Sequence, residues 1–156
     1  MKKVEIYDTT LRDGAQGESV AFTIKDKIRI AEKLDEFGID FIEGGWPGSN
    51  PKDISFFEKV KNRKFINVKI VAFGSTRRKN VSADNDPFLR KLLESGVEYI
   101  TIFGKSWDLH VKEVLRISPS ENLDIIEDSI RFLKKEGRRV FFDAEHFFDG
   151  YKKNPD

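Results

Sequence analysis

Two acidic side chains flank one arginine directly after the first apolar run of the chain. Asp8 and Asp13 lie on either side of Arg12, and the short apolar segment Val4–Tyr7 precedes all three. Gly14 lets the backbone turn tightly around these charges. Such a cluster at the end of a strand suits a hard divalent cation together with an oxygen-rich substrate. A loop held together only by ion pairs would contain the same residue types, so this alternative stays open.

The composition excludes several classes of protein. The 28 basic side chains nearly balance the 27 acidic ones, so the net charge selects neither nucleic acid nor an anionic membrane. The absence of cysteine excludes disulfides, thiolate metal sites and a cysteine nucleophile. No apolar run approaches the ~20 residues that cross a bilayer, and the N-terminus leads straight into a strand pattern, so we expect a cytoplasmic protein. The basic segment Thr76–Asn80 is predicted as a solvated loop, with a phosphate-bearing substrate as the alternative.

Apolar, β-branched or aromatic runs alternate with helical patterns along the chain. Strict alternation of strands and helices predicts a parallel sheet with right-handed crossovers. The predicted strands are Val4–Tyr7, Asp40–Gly44, Val68–Phe73, Tyr99–Phe103 and Arg139–Ala144.

The helices are predicted from their capping residues and their apolar spacing. A first helix should be capped by Thr23 and stop at Gly38, and proline follows a capping residue at Asn50 and at Asp86. A short fourth helix should cover Asp108 to about Ile117, and a fifth should begin at Ser120 and end before Gly137. The residues expected to face the sheet are Ile24, Ile28, Ala31, Leu34, Ile54, Phe57, Val60, Leu89 or Phe88, Leu92, Leu93, Leu123, Ile126, Ile130 and Leu133.

Polar or glycine-rich groups follow nearly every predicted strand, which is typical of a barrel, because barrel sites are built from many strand ends. No Gly-x-Gly-x-x-Gly follows the first strand, and this removes the usual dinucleotide interpretation. The predicted fold class is therefore α/β, a partial (β/α)8 barrel of about five parallel strands with flanking helices. A complete barrel needs about 250 residues, so we expect residues 1–156 to be the N-terminal portion of a barrel catalytic domain. The first and fifth strands would then be open edges, and a loop without a helix is expected after the fifth.

Four segments of the chain resemble the 2-isopropylmalate, homocitrate and citramalate synthases. These are metal-dependent barrel enzymes that condense acetyl-CoA with a 2-oxo acid. The segments are residues 7–18, 42–53, 101–111 and 142–151, and they occur in the order found in that family. The second segment, which contains Trp46-Pro47-Gly48-Ser49-Asn50-Pro51, is similar to the citramalate synthase branch, whereas leucine-type synthases usually have a shorter Glu-x-Gly-x-Pro.

The resemblance implies a role for several residues. Arg12 matches the arginine that stabilises negative charge on oxygen, and Asp13 matches the first metal ligand. Glu145 matches the fifth-strand glutamate that lines the pocket and is predicted as catalytic. Gln16 matches the glutamine near the metal, and Glu43 is implied as a substrate-site acid. In this chemistry the cation polarises the 2-oxo acid, and a base removes a methyl proton from acetyl-CoA.

The resemblance also shows a departure. The family's other metal ligands form a His-x-His pair on a later strand, but this sequence has only His110 and His146, both predicted as substrate-binding. We expect the missing pair and a C-terminal regulatory domain beyond Asp156, so residues 1–156 alone should bind metal poorly and not turn over.

The resemblance implies Mg²⁺, Mn²⁺ or Zn²⁺ as cofactor, acetyl-CoA as co-substrate and a small 2-oxo acid, most simply pyruvate, as substrate. It further implies a homodimer with no nucleic-acid or membrane partner, and a role in isoleucine or leucine biosynthesis. Two alternatives remain. One is a 2-isopropylmalate or homocitrate synthase, and the other is a non-catalytic half-barrel whose edges pair with a second copy.

Overall fold

Five strands pair in chain order into one parallel sheet in the computed structural model, which describes residues 3–155. Because each strand lies beside the next one in the chain, the sheet winds in one direction and does not reverse as a doubly wound sheet does. This confirms the predicted partial (β/α)8 barrel. The strands are β1 (Tyr7–Asp8), β2 (Phe41–Gly45), β3 (Lys69–Ser75), β4 (Tyr99–Lys105) and β5 (Arg139–Glu145).

The two outer strands are edges within the described residues, as predicted, because β1 pairs only with β2 and β5 only with β4. The first strand is shorter than the segment Val4–Tyr7 that was predicted, and it covers Tyr7–Asp8. Before it, the carbonyl of Ile6 accepts from the backbone N–H groups of Asp40 and Phe41 at 3.2 and 3.0 Å. Val4 itself is 82% exposed, so its apolar character did not indicate pairing.

Helices cover the outer face of the sheet, and the predicted caps are present. Thr23 and Asp26 form a reciprocal capping box, and Gly38 ends the helix in the left-handed conformation. Asn50 and Asp86 each cap a helix that starts with proline. No helix in residues 3–155 is long and apolar enough to cross a membrane. The helices are α1 (Ile24–Phe37), α2 (Pro51–Val60), α3 (Pro87–Glu94), α4 (Asp108–His110) with a π-helical turn (Val111–Leu115), α5 (Pro119–Lys135) and α6 (Phe147–Lys153).

Parts of the predicted helix pattern are wrong. The fifth helix begins at Pro119 with Ser118 as its cap, not at Ser120, since serine before proline repeats the signal that starts α2 and α3. Ile54 and Leu123 do not face the sheet, because their side chains are 37% and 65% exposed. Phe57, Val60 and Leu133 are buried as predicted, and the buried positions of α2 and α5 also include Phe56, Asn122 and Ile125.

A helix also follows β5, where a loop was predicted. The helix α6 starts after His146, whose backbone is left-handed and whose side chain makes no capping hydrogen bond. The usual sequence signal for a helix start is therefore absent at this point. Gly150 lets the helix approach the chain after β4, because a Cβ there would lie 2.2 Å from the carbonyl oxygen of Ser106.

The sheet separates the apolar side chains into two clusters. The larger cluster lies between the outer face and the helices and includes Ile42, Phe56, Ile100 and Leu133. The smaller cluster lines the inner face, where Phe41, Val71 and Tyr99 pack with Tyr7 and Phe141. Because side chains alternate between the two faces of a strand, inner-face positions further along each strand are left for the polar side chains of the site.

The end of β2 contains a bulge that fixes the following loop. Glu43 and Gly45 pair with successive residues of β3, and Gly45 has a φ angle of 143°. A Cβ on Gly45 would lie 2.4 Å from Cγ of Asp53. That carboxylate accepts a hydrogen bond from the Trp46 backbone at 2.9 Å and pairs with buried Lys27 at 2.6 Å. The bulge therefore ties the loop after β2 to both α1 and α2.

We expect Gly45→Ala to lower the free energy of unfolding by about 3 kcal/mol or more, because it adds both backbone strain and a clash with Asp53. Gly38→Ala is the matched control. Gly38 also has a positive φ angle, but a Cβ there would have nothing within 4 Å. The control should therefore lose only about 1–2 kcal/mol. Urea denaturation followed by circular dichroism measures both losses, and equal losses would contradict the argument.

Candidate active site

The loop after β1 is folded around a single backbone carbonyl. The oxygen of Thr9 accepts from the N–H groups of Arg12, Asp13 and Gly14 at 3.1, 2.9 and 3.2 Å. The carboxylate of Asp8 accepts from the backbone and hydroxyl of Thr10 at 3.0 and 2.9 Å, so Asp8 supports the loop. These bonds fix the backbone from which Arg12 projects.

Two carboxylates and one aromatic ring contact the guanidinium of Arg12. Its Nε donates to Glu43, its Nη1 lies 3.2 Å from Asp13, and its Cζ lies 3.9 Å from the ring centroid of Phe73. Among residues 3–155, Nη2 donates to no protein acceptor. Nη2 is therefore available to donate to a carboxylate or to a developing oxyanion.

Glu43 is buried beneath Arg12 and acts on the site through the hydrogen bond that it accepts from Arg12. The residue is 2% exposed. One carboxylate oxygen accepts from Arg12, and the other accepts from the hydroxyl of Tyr7 at 2.7 Å. Burial raises the pKa of Glu43 above its ordinary value, the hydrogen bonds from Tyr7 and Arg12 oppose the shift, and the charge of Asp143 adds to it.

The predicted metal ligand Asp13 is not part of a cluster of three or more possible ligands among the described residues. Its side chain is 62% exposed, so its oxygens are open to a hard cation. Within residues 3–155, no group of three or more His, Asp or Glu side chains is placed to hold a metal ion. One carboxylate does not hold a divalent cation firmly, so these residues do not form a complete metal centre.

A cavity of about 530 Å³ lies beside Arg12, between the loops after β1 and β2. Gln16, on a 3₁₀ turn (Gly14–Gln16), lines it together with Arg12. Trp46, from the loop after β2, forms part of the wall and packs edge-on against Phe73 and Phe103. The volume falls in the range of small-molecule sites, and the mixed polar and apolar lining suits a small organic anion.

A second polar cluster forms where β4 and β5 end. Lys105 and Glu145 are the last paired positions of the two strands, and their charged atoms are 2.5 Å apart. The carbonyl of Glu145 accepts from the N–H of Ser106 at 3.1 Å, and that of Lys105 accepts from the Asn122 side chain at 2.9 Å. Lys105 was not among the predicted site residues, although its place directly after an apolar strand was a visible signal.

The two histidines are brought together beside this cluster. The ring centroids of His110 and His146 are 4.5 Å apart, and Trp107 lies 4.8 and 6.0 Å from them. Within the described residues, Nδ1 of His110 is buried without a hydrogen-bond partner. His146 adopts a φ angle of 60°, and its Nδ1 lies 3.5 Å from Asp149. Sequence spacing alone could not predict this pair, because the two residues follow different strands.

The basic segment Thr76–Asn80 is a loop, as predicted, and Arg78, Lys79 and Asn80 are exposed, but Arg77 is not solvated. The Arg77 side chain is 14% exposed and donates to Asp128 through Nε and Nη2 at 3.1 and 2.8 Å. The backbone N–H of Arg78 donates to buried Asp86 at 3.0 Å. These bonds tie the loop after β3 to α3 and α5, so the phosphate alternative gains no support from them.

Comparison with known proteins places this arrangement in a family. The HMGL-like family model matches residues 3–153. The chain belongs to the HMGL-like family. It is 59% identical over all of its 156 residues to the (R)-citramalate synthase of Geobacter sulfurreducens, and it covers 30% of that protein. It is 57% identical over 155 residues to the (R)-citramalate synthase of Aquifex aeolicus, covering 29% of it.

A more distant member of the family is the 2-isopropylmalate synthase of Sulfurisphaera tokodaii, which is 31% identical over 92% of this chain and of which the chain covers 35%. The chain thus spans about 30% of the length of the curated citramalate synthases it matches. Among solved structures, the Bacillus subtilis HMG-CoA lyase superposes with a TM-score of 0.67 at 23% identity over 91% of this chain and 46% of that one. This likeness confirms the barrel-type fold.

The raised pKa of Glu43 predicts how stability depends on pH. The folded chain holds the Glu43 proton to a higher pH than the unfolded chain, so ionising Glu43 costs stability as the pH rises above the ordinary value of 4.5. Relative to Glu43→Gln, the parent should therefore lose stability as the pH rises through the raised pKa of Glu43. Urea denaturation across that interval measures the difference. Glu18→Gln, on the exposed part of the loop, is the control, and a difference for Glu43→Gln that is independent of pH would contradict this cause.

Proposed function

We propose that the protein to which this chain belongs is an (R)-citramalate synthase that condenses acetyl-CoA with pyruvate. The observation that carries the proposal is the 59% identity to a citramalate synthase over the whole chain. Because the chain covers 30% of that relative, the activity is proposed for a protein that also has the remaining length. The reaction joins the methyl carbon of the thioester to the carbonyl carbon of the 2-oxo acid, and water then hydrolyses the thioester.

Arg12 is the group proposed to bind the developing negative charge. Its guanidinium is fixed by Glu43 and Phe73, so Nη2 needs little reorganisation when charge appears on the substrate oxygen. Gln16 lines the same cavity and is proposed to orient the 2-oxo acid. Glu43 supports this part of the site from below, because neither of its oxygens is free.

Glu145 is proposed to take the proton from the methyl group of acetyl-CoA. It is partly exposed at the end of β5, and Lys105 holds one of its oxygens at 2.5 Å. His110 and His146 are proposed to contact substrate from the neighbouring loops. All of these groups follow strand ends on one edge of a parallel sheet, where barrel enzymes place their reacting groups.

Asp13 is proposed as one ligand of a divalent metal, Mg²⁺, Mn²⁺ or Zn²⁺, with the other ligands coming from outside residues 3–155. When bound, the metal would polarise the carbonyl group of the 2-oxo acid. The proposals of a homodimer, a cytoplasmic location and a role in isoleucine biosynthesis rest on the family resemblance and stay predictions.

The test of this function is the release of CoA from acetyl-CoA by the complete protein with pyruvate, 2-oxoisovalerate or 2-oxoglutarate. We expect the highest kcat/KM with pyruvate. A preference for 2-oxoisovalerate or 2-oxoglutarate would favour a 2-isopropylmalate or homocitrate synthase instead. Absence of CoA release with all three substrates would reject the proposed function.

Variants of Arg12 and Asp13 should lose activity for different reasons. Asp13→Asn should weaken Mn²⁺ binding by about 10-fold or more, because it removes a charged ligand, and activity should recover partly at high metal concentration. Arg12→Ala should leave Mn²⁺ affinity unchanged and lower kcat by about 10²-fold or more. Calorimetric Mn²⁺ titrations and steady-state rates on the complete protein measure both effects. If Asp13→Asn binds Mn²⁺ as tightly as the parent does, Asp13 is only the ion-pair partner of Arg12.

A further inference from the structure

The hydroxyl of Tyr7 lies inside the sheet between two polar side chains from other strands. It is 2.7 Å from Oε2 of Glu43 on β2 and 2.6 Å from Oγ1 of Thr101 on β4. Tyr7 precedes the loop that carries Arg12, and it was predicted only as part of the first apolar strand. No chemistry was assigned to Tyr7 or to Thr101.

The direction of these hydrogen bonds follows from the donor inventory. The carboxylate of Glu43 only accepts, so the single proton of the Tyr7 hydroxyl goes to Glu43. The hydroxyl of Thr101 must then donate to the Tyr7 oxygen. The result is a directed chain from Thr101 through Tyr7 to one oxygen of Glu43, while Nε of Arg12 donates to the other oxygen.

Aromatic neighbours fix the ring of Tyr7, and this also fixes the position of its hydroxyl group. Its centroid is 5.4 Å from that of Phe141, edge-on, and 6.2 Å from that of Phe41, stacked. Burial, followed by the negative charge of Glu43, raises the pKa of Tyr7 well above its usual range. Tyr7 therefore stays protonated at neutral pH and can donate to Glu43.

The charged groups around Glu43 come from several elements of the fold. Arg12 faces it from the loop after β1, and the charge of Asp143 on β5 acts against its ionisation. On β3, the residue paired with Glu43 is Val71, which carries no charge, and Phe73 packs against Arg12. Within residues 3–155, Tyr7 thus supplies one of the two hydrogen bonds to a carboxylate that is 2% exposed.

We propose that Tyr7 is a positioning residue for Arg12, because its hydroxyl holds Glu43 in the place and charge state in which Glu43 orients the guanidinium. This deepens the proposed function and rests on it for its catalytic consequence. The geometric part does not depend on which 2-oxo acid is the substrate. A merely structural Tyr7 would need its ring but not its hydroxyl.

The test in this chain is Tyr7→Phe, which keeps the ring and removes the hydroxyl. Carbon-13 NMR follows the titration of the Glu43 carboxyl group, and nitrogen-15 NMR follows exchange of the Arg12 Nε proton with water. We expect the Glu43 midpoint to rise by about one pH unit or more, since a hydrogen bond to a charged group is lost. Exchange of the Arg12 proton should accelerate about 10-fold, the factor that corresponds to one such unit.

Tyr99→Phe is the matched control. Tyr99 lies in the same inner cluster, but its hydroxyl accepts from Arg139 at 2.8 Å. It should leave both the Glu43 midpoint and the Arg12 exchange rate unchanged. Equal shifts in the two variants, or no shift in Tyr7→Phe, would overturn the proposal.

Thr101 provides a second variant if Tyr7→Phe does not fold. Thr101→Val removes the donor to Tyr7 while leaving Tyr7 in place, and we expect a smaller upward shift of the Glu43 midpoint. Thr101→Ser keeps a hydroxyl and should restore the parent value. An unchanged midpoint in Thr101→Val would overturn the proposal.

The kinetic arm uses the complete protein and the CoA-release assay. Tyr7→Phe should lower kcat about 10-fold and move the acidic limb of its pH profile upward by the same amount as the Glu43 midpoint, whereas Tyr99→Phe should leave the profile unchanged. A shifted Glu43 midpoint with an unmoved profile would overturn the positioning role. If the parent has no activity with any 2-oxo acid, the proposed function fails, and the NMR measurements still decide whether Tyr7 holds Glu43 and Arg12.

Discussion

A carboxylate buried inside a sheet needs hydrogen-bond donors, and the arrangement of this site follows from how Glu43 obtains them. Moving an ionised carboxylate out of water costs several kcal/mol unless its oxygens are paired. Tyr7 and Arg12 supply one donor each. The hydrogen bond from Arg12 that satisfies Glu43 also fixes the guanidinium that faces the cavity. Pairing of the buried carboxylate therefore determines the orientation of Arg12 in the site.

The alternation of side chains along the strands makes this arrangement possible. Outer-face positions are apolar and pack under the helices, whereas the inner face carries an aromatic cluster around Phe41 and Tyr99. Glu43 lies two residues beyond Phe41 and so faces the same way. A slip of one residue in the pairing of β2 would turn Glu43 toward the helices. The bulge at Gly45 follows directly and fixes the loop that carries Trp46 against α1 and α2.

The features of the fold that depend on local chemistry were predictable from the sequence. The capping box at Thr23 and the proline starts at Asn50 and Asp86 are local signals, and strand alternation indicated a parallel barrel. The start of α6 was not predictable because His146 offers no capping group. Leu123 was misplaced because a helix with apolar residues on more than one face leaves its buried side to tertiary packing.

The site was predictable in part, for a similar reason. Motif residues such as Arg12 and Glu145 can be proposed as site residues from the sequence, because each lies in a continuous segment that matches the family pattern. The contact of Tyr7 with Thr101 cannot be predicted from the sequence, because the two residues lie on different strands and are 94 positions apart. The pairing of Lys105 with Glu145 required the register of β4 and β5, which no local pattern determines.

The two polar clusters differ in how they are supported, and this difference bears on their chemistry. Arg12 is held from within the sheet by a buried, fully paired carboxylate, which suits a group that must stay in place while charge develops. Glu145 is partly exposed and paired with Lys105, and its backbone is tied to the next strand at a strand end. Glu145 can exchange a proton with substrate, since neither Glu145 nor Lys105 is fully buried. Asp13 lies on the outside of its loop with a 62% exposed side chain, and no group of three or more ligands forms in residues 3–155. This part of the barrel thus holds the groups suited to charge stabilisation and proton transfer. Ordered metal chemistry would need ligands from further strand ends, as expected for a barrel site assembled from many strands.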